Sequence, residues 1–219
     1  MSTMWPARTT EEQEKAIDAA ARAISKGLLL VMPTDTVYGI AADAFDADAV
    51  RRLLAAKGRE RDMPPPVLIG DIDTVDALMV GLPDYARTLI QKCWPGPLTI
   101  VGKQQESLQW DLGDTFGTVA VRVPRHDLAR DILRRTGPLA VSSANLTGQP
   151  AATTAEDAEE MLGDRVRALI DAGPTPGVTP STIIDVTTDR PRLLRKGALA
   201  VSELDTLLED HDLTVLEEG

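Results

Sequence analysis

Leu28-Leu29-Leu30-Val31-Met32, closed by Pro33 and followed by Thr34-Asp35-Thr36-Val37-Tyr38-Gly39, decides the fold class. Five apolar residues without a charge fit a short strand covered on both faces. Pro33 ends it, because proline has no N–H for a sheet ladder. Before the run, Glu11–Lys26 has helical spacing, with Ile17, Ala20, Ala21 and Ile24 on one face and Gly27 as the stop. After it, Asp46–Ala56 reads as a second helix, with Asp46 as N-cap and Val50, Leu53 and Leu54 as its apolar stripe. A buried strand between two amphipathic helices implies a sheet with helices packed on it, an α/β (α+β) domain.

The same pattern runs outward. Helices are expected at Pro83–Cys93, Asp127–Arg135, Thr154–Leu162 and Ser202–Glu209, and strands at Val67–Ile69, Leu98–Val101, Val119–Val123, Leu139–Ser142, Val166–Ile170 and Thr182–Val186. No repeat or low-complexity linker divides the chain, and Gly173–Pro180 reads as a loop inside the domain. Residues 10–200 are therefore expected to form one catalytic domain. Residues 201–219 are expected to form an acidic extension rather than a second domain.

Composition narrows the function. A formal net charge of -11 opposes general binding to a phosphate backbone, and 3% aromatics leaves few rings for base stacking. The cations are nevertheless clustered: Arg51, Arg52, Lys57, Arg59 and Arg61; Arg122, Arg125, Arg130, Arg134 and Arg135; and Arg190, Arg192, Arg195 and Lys196. Most such runs are solvated helix faces, but three of them raise the expectation that some converge on an anion. Cys93 is the only cysteine, which excludes an internal disulfide and suits a reducing cytosol. No signal-peptide pattern opens the chain and no apolar run approaches membrane-spanning length, so a cytoplasmic protein away from membranes is expected.

Several segments place polar groups where chemistry is plausible. Pro33–Gly39 crowds hydroxyls at a strand end, where a turn is the plainer reading. Lys57-Gly58-Arg59 closes a helix with a point charge and a planar fork, which suit either the helix dipole or a phosphate. Trp94-Pro95-Gly96-Pro97-Leu98-Thr99 reads as a rigid turn that buries an indole. Arg122 stands inside the apolar strand Val119–Val123, where a cation needs an anionic partner or an open cavity. Ser142-Ser143-Ala144-Asn145-Leu146-Thr147-Gly148 follows another strand; Ser181–Asp185 and Leu193–Gly197 complete the set. No Walker loop or dinucleotide fingerprint is present.

Together and in this order, from Pro33 to about Gly197, these segments resemble the YrdC-like family, specifically the threonylcarbamoyl-AMP synthases. The resemblance implies a single domain in which a twisted mixed sheet, flanked by helices, carries a wide cation-lined cavity. It implies that L-threonine, bicarbonate and ATP, the last with Mg²⁺, give threonylcarbamoyl-adenylate and pyrophosphate. A separate threonylcarbamoyl transferase complex would then use the product to modify tRNA. Carried over residue by residue, the catalytic Lys-x-Arg and Ser-x-Asn elements fall on Lys57, Arg59, Ser143 and Asn145. The threonine pocket falls on Thr34, Arg122 and Ser181. The nucleotide is expected at Lys57, Arg59, Thr118, Ser143, Asn145 and Arg195, with no dedicated protein ligand for the metal. Lys57 and Arg59 are both expected to face solvent or ligand, and Arg122 to hold the threonine carboxylate bidentately.

The sequence departs from the family pattern at Glu60, where proline is frequent, at Leu68, where a histidine is common, and at Ala151, where serine is common. Leu68 implies one polar contact fewer to threonine. The alternatives are a YciO-like relative, a carbamoyl-adenylate domain of the hydrogenase-maturation type, or an RNA-binding or ribosome-maturation factor using the same basic cavity.

Overall fold

The computed structural model describes residues 2–217. In chain order the elements begin with β1 (Thr3–Pro6), α1 (Thr10–Ile24), β2 (Leu30–Met32), β3 (Gly39–Asp43), α2 (Ala47–Lys57) and β4 (Val67–Leu68). They continue with α3 (Val75–Leu78), β5 (Met79–Val80), α4 (Asp84–Cys93), β6 (Leu98–Gln104), β7 (Thr118–Arg122), α5 (Asp127–Thr136) and β8 (Leu139–Ser143). The last are α6 (Ala155–Leu162), β9 (Ala168–Asp171), β10 (Thr182–Asp185), β11 (Arg192–Arg195), α7 (Val201–Leu208) and β12 (Leu216–Glu217).

All these strands join one mixed sheet in the order β1-β9-β2-β3-β8-β4-β7-β6-β10-β11-β12, with β5 on β6. β2 pairs antiparallel with β3 and parallel with β9, which gives the Leu28–Met32 run the two-sided burial its composition demands. Leu30 and Met32 pack toward α1 and α5, while Val31 packs with Leu53 of α2 and Ala155 of α6 on the other face. That division follows from the two-residue period of a strand.

The helices are fixed by ordinary local chemistry. Asp46 accepts from the backbone N–H groups of Asp48 and Ala49, as an N-cap should, and Val50, Leu53 and Leu54 are buried. Thr9 and Glu12 form a capping box at α1. The buried face of α1 is Ala16, Ala19, Ala20, Ala23 and Ile24, rotated from the expected stripe, and Ile17 is only partly covered.

The segment after Gly197 is not a loose tail up to residue 217. Leu204 and Leu208 of α7 are fully buried in the core cluster shared with α4, and β12 adds a parallel strand to β11. Leu204→Ala is expected to lower unfolding free energy by about 3 kcal/mol, as leucine truncations in a packed core do. Urea titration followed by circular dichroism measures it; a loss below about 1 kcal/mol would mean that α7 is dispensable to the core.

Candidate active site

A cleft of about 410 Å³ opens over one face of the central strands. Its floor follows the strand period for the most part: Pro66 and Leu68, then Thr118, Ala120 and Arg122 of β7, Thr99 and Val101 of β6, Val141 and Ser143 of β8, and Ser181 and Ile183 in and before β10, with Val119 and Ser142 also reaching it. Register aligns Leu68 with Arg122, and Thr99 with Ile183. Leu68 and Val141 also belong to the cluster under α1 and α5, so the cleft begins where that helical cover stops.

Each of the three cation clusters sends one arginine to this cleft. Arg59, Arg122 and Arg195 border it. Their neighbours go elsewhere: Arg51 pairs with Asp48, Arg61 with Asp111 and Asp114, Arg134 with Asp71, and Arg135 with Asp18. The solvated-face reading therefore holds for most of the charges.

Arg59 follows Gly58, whose φ of 63° turns the chain out of α2 at its C-cap. One terminal nitrogen of Arg59 donates to Ser142 Oγ at 3.1 Å. Its Nε is buried without a hydrogen-bond partner, the only such side-chain atom among the described residues. Burial pushes the Arg59 pKa down. An unsatisfied, half-buried guanidinium at a cleft wall is a costly arrangement that an incoming acceptor would relieve.

Arg122 closes β7 and is almost wholly buried. Nε donates to Gly96 O at 2.9 Å, one terminal nitrogen to Thr36 Oγ1 at 3.1 Å, and the other to Asp35. Burial lowers its pKa and the Asp35 carboxylate opposes that shift. The Trp94–Gly96 turn, expected to be structural, does bury its indole, with Trp94 Nε1 donating to Leu98 O at 2.7 Å. It also supplies the carbonyl that aims Arg122.

The Pro33–Gly39 turn is built on hydroxyls. Thr34 Oγ1 donates to Val37 O at 2.7 Å, which leaves it to accept from Thr36 Oγ1, 3.0 Å away. Thr36 Oγ1 in turn accepts from Arg122, so the hydrogen bonds run in one direction from guanidinium to backbone carbonyl. Ser181 Oγ lies 2.8 Å from Thr99 Oγ1 and 3.1 Å from Arg195. Arg195 also donates twice to Ser181 O, and its pKa is lowered by burial and then by the charges of Arg122 and Arg59. Gly197 packs against this point so closely that a Cβ would lie 2.3 Å from Ser181 backbone atoms.

Thr34, Arg59, Thr118, Arg122, Ser143, Ser181 and Arg195 thus all border one cleft. Lys57 and Asn145 do not. Lys57, expected to face solvent or ligand, is 1% exposed. Its ammonium donates to the backbone carbonyls of Ser143 and Asn145 and to Asn145 Oδ1. Its own carbonyl accepts from Thr147 Oγ1 at 2.8 Å. Asn145 Nδ2 completes the loop by donating to Leu146 O and Gln149 O. Lys57 is a clamp beneath the Ser142–Gly148 loop, not an open charge. At Arg122, Asp35 already engages one terminal nitrogen, so the expected bidentate contact would have to use the two N–H groups that Gly96, Thr36 and Asp35 leave over. Beyond the expected residues, the site includes Thr36 and the apolar walls Met63–Pro66, Leu112 and Leu194, with Asp35 behind it on Arg122; nothing in their local sequence sets them apart.

A model of the Sua5/YciO/YrdC family, described as telomere recombination, matches residues 22–197. The chain belongs to that family. A Mycobacterium tuberculosis protein provisionally named threonylcarbamoyl-AMP synthase is 49% identical over 95% of this chain and 96% of its own length. The Bacillus subtilis threonylcarbamoyl-AMP synthase is 35% identical over 93% of the chain, which spans 60% of that longer protein. The structure of Pyrococcus abyssi Sua5 complexed with L-threonine superimposes with a TM-score of 0.91 at 34% identity, covering 98% of this chain and 63% of that one. Escherichia coli YciO, at 24% identity and a TM-score of 0.84, shares the fold.

Proposed function

We propose that the chain is a threonylcarbamoyl-AMP synthase, a nucleotidyltransferase that uses L-threonine, bicarbonate and ATP. The observation that carries the reading is the convergence of Arg59, Arg122 and Arg195 on one cleft whose lining includes no carboxylate. Relatives bearing that name, and one solved with L-threonine, support it.

The chemistry fits the charges. The threonine amine and bicarbonate condense to a carbamate, with the amine proton and the bicarbonate hydroxyl leaving as water. A carbamate oxygen then attacks the α-phosphorus of ATP, the bond to the bridging oxygen breaks, and pyrophosphate departs with the electron pair. Both partners are anions, so cations must offset their repulsion and the charge on the leaving group. Arg59 and Arg195 are suited to the phosphates, while Arg122, Ser181 and Thr34 sit at the amino-acid end. Thr118 and Ser143 line the wall between strands; Lys57 and Asn145 hold the Ser143 loop in place. No catalytic His or Cys is needed, because the substrates provide the nucleophile and the protein supplies position and a dry pocket.

The cleft lining offers a magnesium ion no carboxylate, and no group of three acidic, histidine or cysteine side chains among the described residues is placed to hold one. We propose that Mg²⁺ comes with the nucleotide, carried by its phosphates and water, where it would neutralise charge on the pyrophosphate. Among the described residues no helix is long and apolar enough to cross a membrane. A cytoplasmic setting, with the product passed to a tRNA-modifying transferase complex, completes the reading.

Incubation with ATP, Mg²⁺, L-threonine and bicarbonate, followed by mass spectrometry, is expected to give the adenylate and pyrophosphate only when all three substrates are present. Pyrophosphate release independent of threonine, or RNA binding at physiological salt without turnover, would overturn the assignment.

A further inference from the structure

The three arginines of the cleft differ in one respect that their shared position hides. Arg59 and Arg195 have no carboxylate partner among the described residues, whereas Arg122 is paired with Asp35, the two side chains being 6% and 10% exposed. Asp35 does not line the cleft; it reaches Arg122 from the turn behind it. The charges of the cleft are therefore divided: two cations are uncompensated, and the third, Arg122, is cancelled from within the protein.

That division matters because ATP brings a chain of phosphates into a space bordered by three arginines. A polyphosphate gains from every unpaired guanidinium it can reach, and nothing in the shape of an arginine favours a carboxylate over a phosphate. Charge is what separates them. A paired Arg122 offers little net attraction to a polyanion, yet it still has N–H groups to give. Of its five, the bonds to Gly96, Thr36 and Asp35 use three, which leaves two, the number one carboxylate takes in a bidentate contact. The same three bonds fix the plane of the guanidinium, so the remaining donors are oriented before the substrate arrives.

We infer that Asp35 is a positioning residue that reserves Arg122 for a singly charged carboxylate by keeping polyphosphate away from it. The inference rests on the proposed function in identifying that carboxylate as the one on threonine; the exclusion of polyphosphate is a property of the ion pair itself.

The test is calorimetric titration of the whole protein with inorganic pyrophosphate, and separately with L-threonine, at fixed salt. Asp35→Asn keeps an oxygen acceptor for Arg122 and removes the charge. Its pyrophosphate affinity is expected to rise about tenfold, the size of one charge-assisted contact, and pyrophosphate should then compete with threonine. A structural lesion would not produce a gain in affinity. Asp35→Glu, which keeps the charge, is expected to stay within about twofold of the wild type. Unchanged or weaker pyrophosphate binding in D35N would overturn the inference. Should D35N not fold, the neutral pair D35N/R122Q decides: affinity within about twofold of wild type is expected, and a tenfold loss would show that Arg122 already serves the phosphates. A wild type that binds pyrophosphate but no threonine would defeat the functional assignment while leaving the pyrophosphate comparison intact.

Discussion

Arg59→Ala is expected to lower kcat/KM for ATP by about 100-fold or more, the scale seen when one preorganised donor to a developing anion is removed. The fold should hardly notice. The side chain contributes one hydrogen bond, to Ser142 Oγ, and keeps a buried Nε without a partner. Losing the bond costs about 1 kcal/mol, and removing the orphaned donor returns part of it. The melting temperature should therefore move by less than about 4 °C for a chain of this size. Arg59→Lys separates charge from geometry. It keeps a cation but loses the planar fork, so it should recover only part of the rate. Steady-state kinetics with ATP varied and threonine saturating give the answer; an ATP dependence equal to that of the wild type would remove Arg59 from the phosphate seat.

How much of this was legible depends on whether the deciding contact is local. The Asp46 cap, the stripe of α2 and the two-sided burial of β2 follow from neighbours in the chain, and they fold as read. The face of α1 was misplaced because its candidates are mostly alanines, which differ little in the apolar area they bury. β3 escaped notice since Gly39-Ile40-Ala41-Ala42-Asp43 has weak strand propensity and directly follows a turn. It is a strand because β2 and β8 enclose it. β1 and β11 escaped for a different reason: each is short and polar or proline-bearing, and each is ordered by its partner, β1 by the distant β9 and β11 by the neighbouring β10.

In the site, Arg122 announced itself, a lone cation in an apolar strand. Its partner did not, because an aspartate in a turn looks like any solvated turn residue. Lys57 and Arg59 were read alike for being adjacent, yet Gly58 turns the chain between them and sends one inward and the other to the cleft. A signal for Lys57 did exist. Val50, Leu53 and Lys57 fall at i, i+3 and i+7, so the lysine lies on the buried stripe of its own helix.

That placement makes Lys57 the residue whose loss should damage both fold and activity. Lys57→Ala strands two buried acceptors, the Asn145 carbonyl and its side-chain oxygen, takes one of two donors from Ser143 O, and leaves the lysine stem's volume empty. A loss of about 3 kcal/mol or more is expected, together with a fall in turnover of about 100-fold as the Ser142–Gly148 loop shifts. Lys57→Met fills most of the stem's space without a donor, so it isolates the clamp from the packing. Charge gives an independent check. Burial, and after it the charge of Arg59, push the Lys57 pKa down to about 7 from an ordinary 10.5. Between those values the unfolded chain holds the extra proton, so Lys57 makes stability rise with pH across that window; below about 7 the folded state bears the whole cost of the buried charge. Urea midpoints at pH 6.5 and 8.5 should accordingly increase for the wild type by more than for Lys57→Met. Parallel changes in the two proteins would mean that the ammonium is not desolvated, and the clamp would have to be redrawn as a surface contact.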